Sequence, residues 1–279
     1  MALRPFRIEF TERAVTDLRE RLGSARWPSP LPGEEAFDAT LRVLARDWAR
    51  LDWAAWQARL NDLPHLRGVV EDGEVHAAVF GGPWAERRPV LLLLHDAAGT
   101  FFDRLDLAQR LARPADGTGS VDVVLASLPG TGYSERLHGK PTPEAAARRL
   151  HAYMTALGYE RYTVHGDGYG AAVAGVMVEA SAGAASDLRL SSPGTAPGLA
   201  PAEAYALHDS PIGMLAWWLG ARGAPSDEAR ETWLAGATWG WLTASAAVAS
   251  GLGGGGERVP DAAIEAAAQA LTGSATGTA

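Results

Sequence analysis

No cysteine occurs among the 279 residues, which excludes disulfides, thiolate nucleophiles and sulfur-ligated metal sites while leaving the compartment open. Long hydrophobic runs are also missing. The longest, Val90 to Leu94, has the length of a strand, and Met1 to Phe10 carries no apolar stretch behind a basic region. The expectation is a cytoplasmic protein without a membrane span or export leader. Clusters of basic residues are absent as well, and a net charge of −8 with a pI near 5.4 argues against nucleic acid as a partner. Gly253 to Gly256 lacks the Lys-Ser or Lys-Thr that would make it a phosphate loop. No HExxH or paired-histidine spacing is present, and neither is Gly-x-Ser-x-Gly. Neither a cofactor nor a metal is expected.

What is present centres on Thr163 to Ala171. A β-run ends at His165, Gly166, Asp167, Gly168, Tyr169 and Gly170, followed by a small-residue helix: the layout of a nucleophile elbow. Gly166 and Gly170 supply the small residues that such a turn needs where strand end and helix start approach closely. That spacing puts Gly168, which has no side chain, at the centre.

Around this segment the spacing predicts helices over Glu12 to Leu22 (capped by Thr11), Ala36 to Arg50 and Trp53 to Asn61, with Trp48, Trp53 and Trp56 as core. A hairpin through Asp72-Gly73 joins Leu66 to Val70 with Val75 to Phe80. Buried strands follow at Val90 to Leu94 and Val121 to Ser127, a helix at Pro143 to Leu157, a strand at Tyr162 to His165, a helix at Gly170 to Ala180 and a strand at Asp187 to Ser191. Strands alternating with helices predict a mostly parallel sheet covered on both faces. Beyond it lie a loop at Pro193 to Pro201, Trp-rich helices at Ile212 to Gly220 and Glu231 to Val248, a linker at Gly251 to Gly256, a helix at Pro260 to Leu271 and a frayed tail from Thr272.

Arg26-Trp27-Pro28, Asp52-Trp53, Leu60-Asn61 with Pro64-His65, the Leu91 to Thr100 segment, Ser127 to Ser134, Leu157 to Tyr162, and Asp209 to Gly213 with Ala216-Trp217 form a further set of motifs. Through them the chain resembles the α/β-hydrolase-fold epoxide hydrolases of the microsomal and juvenile-hormone type. The resemblance implies an α/β class, an α/β-hydrolase fold with a truncated sheet, an N-terminal meander and a reduced helical cap. The expected divisions are 1–80 (meander and first hairpin), 81–192 (core with elbow), 193–256 (cap) and 257–279 (tail).

Against that family the elbow departs from Gly-Gly-Asp-Trp-Gly, with Asp167 and Gly168 transposed, and His95-Asp96-Ala97-Ala98-Gly99 replaces His-Gly-Trp-Pro-Gly. No histidine follows His208, and the chain is expected to stop before the strands that carry the family's relay acid and base. The family opens an epoxide with an aspartate and clears the ester with a histidine, so turnover by that route is not expected.

Asp167 is then either a working acid or base, with its pKa raised beside an apolar pocket, or a brace of the turn. Asp96 either couples to it or is a solvated loop residue. His95 is the one candidate for a substitute base, Ala97 and Tyr169 would supply oxyanion amides, and His165 either meets Asp167 or simply ends its strand. Trp217, Trp218, Trp239 and Trp241 line an aromatic cavity or fill space, and Asp209 is expected to cap the helix at Pro211. Three functions stay open: a non-hydrolytic cyclase or isomerase acting on an apolar small molecule, a pseudoenzyme that binds a ligand or partner, and a residual hydrolase using Asp167. A sheet with an open edge is expected to favour a homo-oligomer.

Overall fold

Thr11 accepts a hydrogen bond from the Ala14 N–H and so starts α1 (Glu12–Gly23), and Asp52 does the same for Ala55 at the head of α3 (Trp53–Asn61). Between them α2 (Glu35–Ala49) presents Leu41, Leu44 and Trp48 from one face. The computed structural model describes residues 3–70, 73–81, 88–115, 119–188, 190, 198–245, 252 and 258–275. Trp48, Trp53 and Trp56 are all buried core residues. Two of them are also tethers: Trp48 Nε1 donates to Thr238 Oγ1 at 2.8 Å and Trp56 Nε1 to Glu231 Oε1 at 2.8 Å, which fixes the meander against a later helix.

The described strands are β1 (Leu3–Pro5), β2 (His65–Val70), β3 (Gly73–Phe80), β4 (Val90–Leu94), β5 (Asp122–Ala126), β6 (Tyr162–Gly166) and β7 (Ala185–Asp187), ordered β1-β2-β3-β5-β4-β6-β7. The sheet is mixed rather than mostly parallel. β1, β2, β3 and β5 pair antiparallel in turn, and only β5, β4, β6 and β7 run parallel. The hairpin accounts for the difference, since it lays two strands down before the first helical crossover. Each face carries a hydrophobic core. One is built from the meander and the later helices α8 (Pro211–Arg222) and α9 (Arg230–Leu242), the other from α5 (Pro143–Ala156) and α6 (Tyr169–Ala180).

Four further elements escaped the periodicity: a 3-10 turn at Phe101–Arg104 running into α4 (Leu105–Ala112), the helix α7 (Pro201–Asp209), and the edge strand β1. The last described strand is Ala185–Asp187, which meets the expected one only at Asp187, with positions 189 and 191 outside the described residues, and α10 (Asp261–Ala275) continues past Leu271 instead of fraying at Thr272. Asp209 is not a cap. It ends α7 and pairs with Arg21 at 3.0 Å, while Ser210 accepts from the Gly213 N–H. The expected turn residue Asp72, the stretch 193–197, the end of the Glu231 to Val248 helix and most of the Gly251 to Gly256 linker lie outside the described residues. No described helix is long and apolar enough to cross a membrane.

A buried imidazole pair pins the meander to the sheet. His65 Nε2 donates to the Leu60 carbonyl at 2.9 Å, which leaves His65 Nδ1 to accept from His76 Nε2 at 3.1 Å. His76 Nδ1 in turn accepts from the Ser127 hydroxyl at 3.0 Å. This arrangement requires both rings neutral. Burial pushes His65 down to about 4, and His76 well below its ordinary value. Both folded-state values lie under the unfolded one near 6.5, so the stability held by the neutral pair is complete above pH 6.5 and is lost as pH falls towards 4. The unfolding free energy, followed by denaturant titration from pH 7 to pH 4, should fall by roughly 3 kcal/mol for His65 alone, and His65→Gln should flatten that slope. A slope unchanged by His65→Gln would remove the imidazole pair as its origin.

Candidate active site

The C-terminal ends of β4, β5 and β6 lie side by side, with Leu94 paired to Ala126 on one flank and to Gly166 on the other. The loops that follow, 95–100, 127–134 and 167–168, therefore converge at one end of the sheet, where open α/β sheets place their sites. The turn after β6 is an elbow. Gly168 has φ 51° and ψ −114°, a left-handed conformation between strand and helix that favours glycine. A Cβ on Gly166 would overlap the Gly170 backbone, and one on Gly170 would come within 2.6 Å of the His95 carbonyl. The glycine spacing thus reflects a packing requirement, and Gly168 occupies the elbow centre.

Asp96 comes to that centre from the neighbouring loop. Its Oδ1 accepts from the Tyr169 N–H at 2.7 Å, and a Cβ built on Gly168 would overlap the Asp96 carboxylate. The first oxyanion amide is thereby engaged by an aspartate. Ala97, expected to supply the second, is buried beside it.

Asp167 points elsewhere. It is 7% exposed, and its Oδ2 accepts from Arg104 Nε at 3.1 Å and Nη2 at 2.6 Å, while Oδ1 lies 3.4 Å from the Val259 N–H. Arg104, itself only 1% exposed, also donates through Nη1 to Asp261 at the head of α10. Burial would raise the Asp167 pKa, but the nearby His165 ring and the Arg104 guanidinium outweigh it and hold the carboxyl below its ordinary value. This corrects the expected raised pKa: the carboxylate sits in an ion cluster with Arg104. His165 is buried in β6 with Nε2 at 3.7 Å from Asp167 Oδ1, longer than a hydrogen bond.

His95 is fully engaged. Its Nδ1 donates to the Asp96 carbonyl at 2.7 Å and its Nε2 accepts from the Leu128 N–H at 3.2 Å, with the Thr131 hydroxyl at 3.3 Å. Burial lowers its pKa, so the ring is neutral with both nitrogens committed, which does not suit a substitute base. The tryptophans pack against neighbouring side chains. Trp239 packs among Phe101 at 4.9 Å, Tyr133 at 5.1 Å, His76 at 5.5 Å and Phe102 at 5.8 Å. Trp218 meets Trp233 edge-on, Trp241 lies under Arg21, and Trp217 is half-buried against the same core.

Arg104 is the residue that sequence reasoning missed. The signal was its setting in Phe101-Phe102-Asp103-Arg104-Leu105, because a charge set among core residues needs a buried partner. Among the described residues, no group of three or more His, Asp or Glu side chains could hold a metal ion.

Comparison with known proteins places this geometry. The epoxide hydrolase N-terminus family matches residues 3–104. A putative epoxide hydrolase of Stigmatella aurantiaca is 28% identical over 87% of this chain and 67% of its own length. Epoxide hydrolase 1 of Oryctolagus cuniculus is 26% identical over 64% of this chain and 42% of its own. Juvenile hormone epoxide hydrolase 2 of Ctenocephalides felis is 25% identical over 63% and 40%. The chain thus spans only about two fifths of the rabbit and flea relatives. In fold it is similar to the juvenile hormone epoxide hydrolase of the silkworm Bombyx mori, with a TM-score of 0.74 at 21% identity over 90% of this chain and 75% of that one. It is similar also to the Aspergillus niger epoxide hydrolase, with a TM-score of 0.72 at 20% identity over 90% and 77%. The chain thus carries a region similar to the epoxide hydrolase N-terminus over residues 3–104 and has the α/β-hydrolase fold of these epoxide hydrolases.

Proposed function

We propose that this chain is a small-molecule enzyme of epoxide-hydrolase type that converts an apolar, epoxide-bearing compound by a non-hydrolytic step of the cyclase or isomerase kind. One observation carries the reading: the elbow keeps its strained backbone while its centre, Gly168, offers no nucleophile. Hydrolysis by the family's two-step route needs a side chain there and an imidazole to activate water. The engaged nitrogens of His95 support the same conclusion. A preorganised backbone and one carboxylate can still direct an internal ring opening, since positioning alone lowers a barrier substantially.

The expected outcome with small aryl and aliphatic epoxides in ¹⁸O-labelled water is no enzyme-dependent diol. Sustained diol formation would overturn the non-hydrolytic reading. A second reading, a binding protein without catalysis, is favoured by Trp239, whose ring fills the interior beneath α9. Its partner would be a ligand or a second copy of the chain added at β7, which pairs only with β6 among the described strands. That reading predicts an oligomer in light scattering and no turnover of hydroxy-epoxides. Cyclic ether formation by the purified chain would eliminate it.

A further inference from the structure

We infer that Asp96 is the reactive carboxylate of this elbow, delivered from the β4 loop into the seat that Gly168 leaves empty. The inference deepens the non-hydrolytic reading and rests on it for the natural reaction, but the placement of Asp96 stands on geometry of its own. A side chain at 168 and the Asp96 carboxylate cannot coexist, because a Cβ on Gly168 would fall on the carboxylate. The two positions are therefore exchanged as a set: glycine at the centre, aspartate on the adjoining loop. The anchoring also suits a reactive carboxylate. Oδ1 is held at 2.7 Å by the Tyr169 N–H, a helix N-terminal amide that stabilises negative charge. The loop itself is fixed by the His95 ring on the Asp96 carbonyl and by the Asp103 carboxylate on the Thr100 N–H. Asp167 lies in the Arg104 ion cluster and is not available for the role.

For a substrate that carries its own hydroxyl, the step balances without a co-reactant. The Asp96 carboxylate takes the hydroxyl proton as that oxygen bonds to an epoxide carbon. The ring C–O bond breaks, and the proton passes to the ring oxygen, giving an isomer with the carboxylate restored. An epoxide with no internal nucleophile meets the carboxylate itself. An Asp96 oxygen bonds to the epoxide carbon, the ring C–O bond breaks, and the ring oxygen takes a proton from water. The result is a 2-hydroxyalkyl ester on the chain.

The test is covalent labelling of the full chain with 1,2-epoxy-3-(4-nitrophenoxy)propane, with peptide mapping by mass spectrometry and diol measured in the same tubes. One ester per chain on Asp96 is expected, absent in Asp96→Asn, whose melting temperature should stay close to that of the parent because Asn keeps the bond to Tyr169. Gly168→Ala should slow labelling of the intact Asp96 by about a hundredfold, because the new Cβ displaces the carboxylate. Labelling on Asp167, labelling spread over surface carboxylates, or none at all would overturn the assignment, and the unmutated chain alone decides this even if a variant fails to fold. Diol released through an Asp96 ester would retire the non-hydrolytic reading and keep Asp96. A label elsewhere with no diol would retire Asp96 and leave that reading standing.

Discussion

Arg104→Met should destabilise the chain by about 3–5 kcal/mol, the cost of leaving a buried charge without its partner. The guanidinium is 1% exposed and serves two carboxylates, Asp167 at the elbow and Asp261 at the head of α10. Its removal strands Asp167 in a site where burial opposes the charged form. Asp167→Asn should act in the same direction, because it leaves Arg104 with one partner in place of two. The double variant Arg104→Met with Asp167→Leu should recover much of the loss, since a matched apolar pair is often as stable as a buried ion pair. Urea unfolding of the three variants measures this directly. Additive losses in the double variant would show that the two residues are not energetically coupled. The expected sign also distinguishes the roles open to Asp167. A working acid or base would lose activity on conversion to Asn with little change in stability, whereas an ion-paired brace loses stability first.

The elbow, the meander and the tryptophan core were legible in the sequence because each rests on local rules. Gly166 and Gly170 mark a close backbone approach, Thr11 marks a helix start, and the helical spacing of Trp48, Trp53 and Trp56 marks a buried face. What was not legible depends on long-range pairing. The Arg104 to Asp167 contact spans 63 residues and the Tyr169 to Asp96 contact 73, and nothing in either local stretch announces the other. The direction of the Asp167 pKa followed from that omission: burial alone argues for a rise, and only the unseen guanidinium and the neighbouring ring reverse it. The mixed sheet was missed for a different reason. Periodicity identifies strands but not their direction, and a hairpin at Leu66 to Phe80 already required antiparallel neighbours.

Gly168→Asp, the substitution that restores the family's carboxylate at the elbow centre, should be strongly destabilising and should not create a hydrolase. The new Cβ meets the Asp96 carboxylate, the backbone at φ 51° disfavours any side chain, and two carboxylates would compete for one Tyr169 N–H. Overpacking costs about 1–3 kcal/mol and a left-handed side chain about 1–2 kcal/mol, so a loss of roughly 3 kcal/mol is expected from the two together. Asp96→Gly in the same chain removes the clash and the second charge but not the backbone strain. The double variant should therefore regain about 1–3 kcal/mol, a coupling that a thermodynamic cycle reads without knowledge of the substrate. Effects that simply add would mean that the two side chains do not compete for one seat, and the exchange of glycine and aspartate between elbow and loop would lose its physical basis. In the stable double variant an aryl epoxide should form an ester on the carboxylate introduced at position 168, and that ester should persist. The reason is that His95, the imidazole beside the elbow, has Nδ1 bonded to the residue 96 carbonyl and Nε2 to the Leu128 N–H, both backbone groups that Asp96→Gly leaves in place.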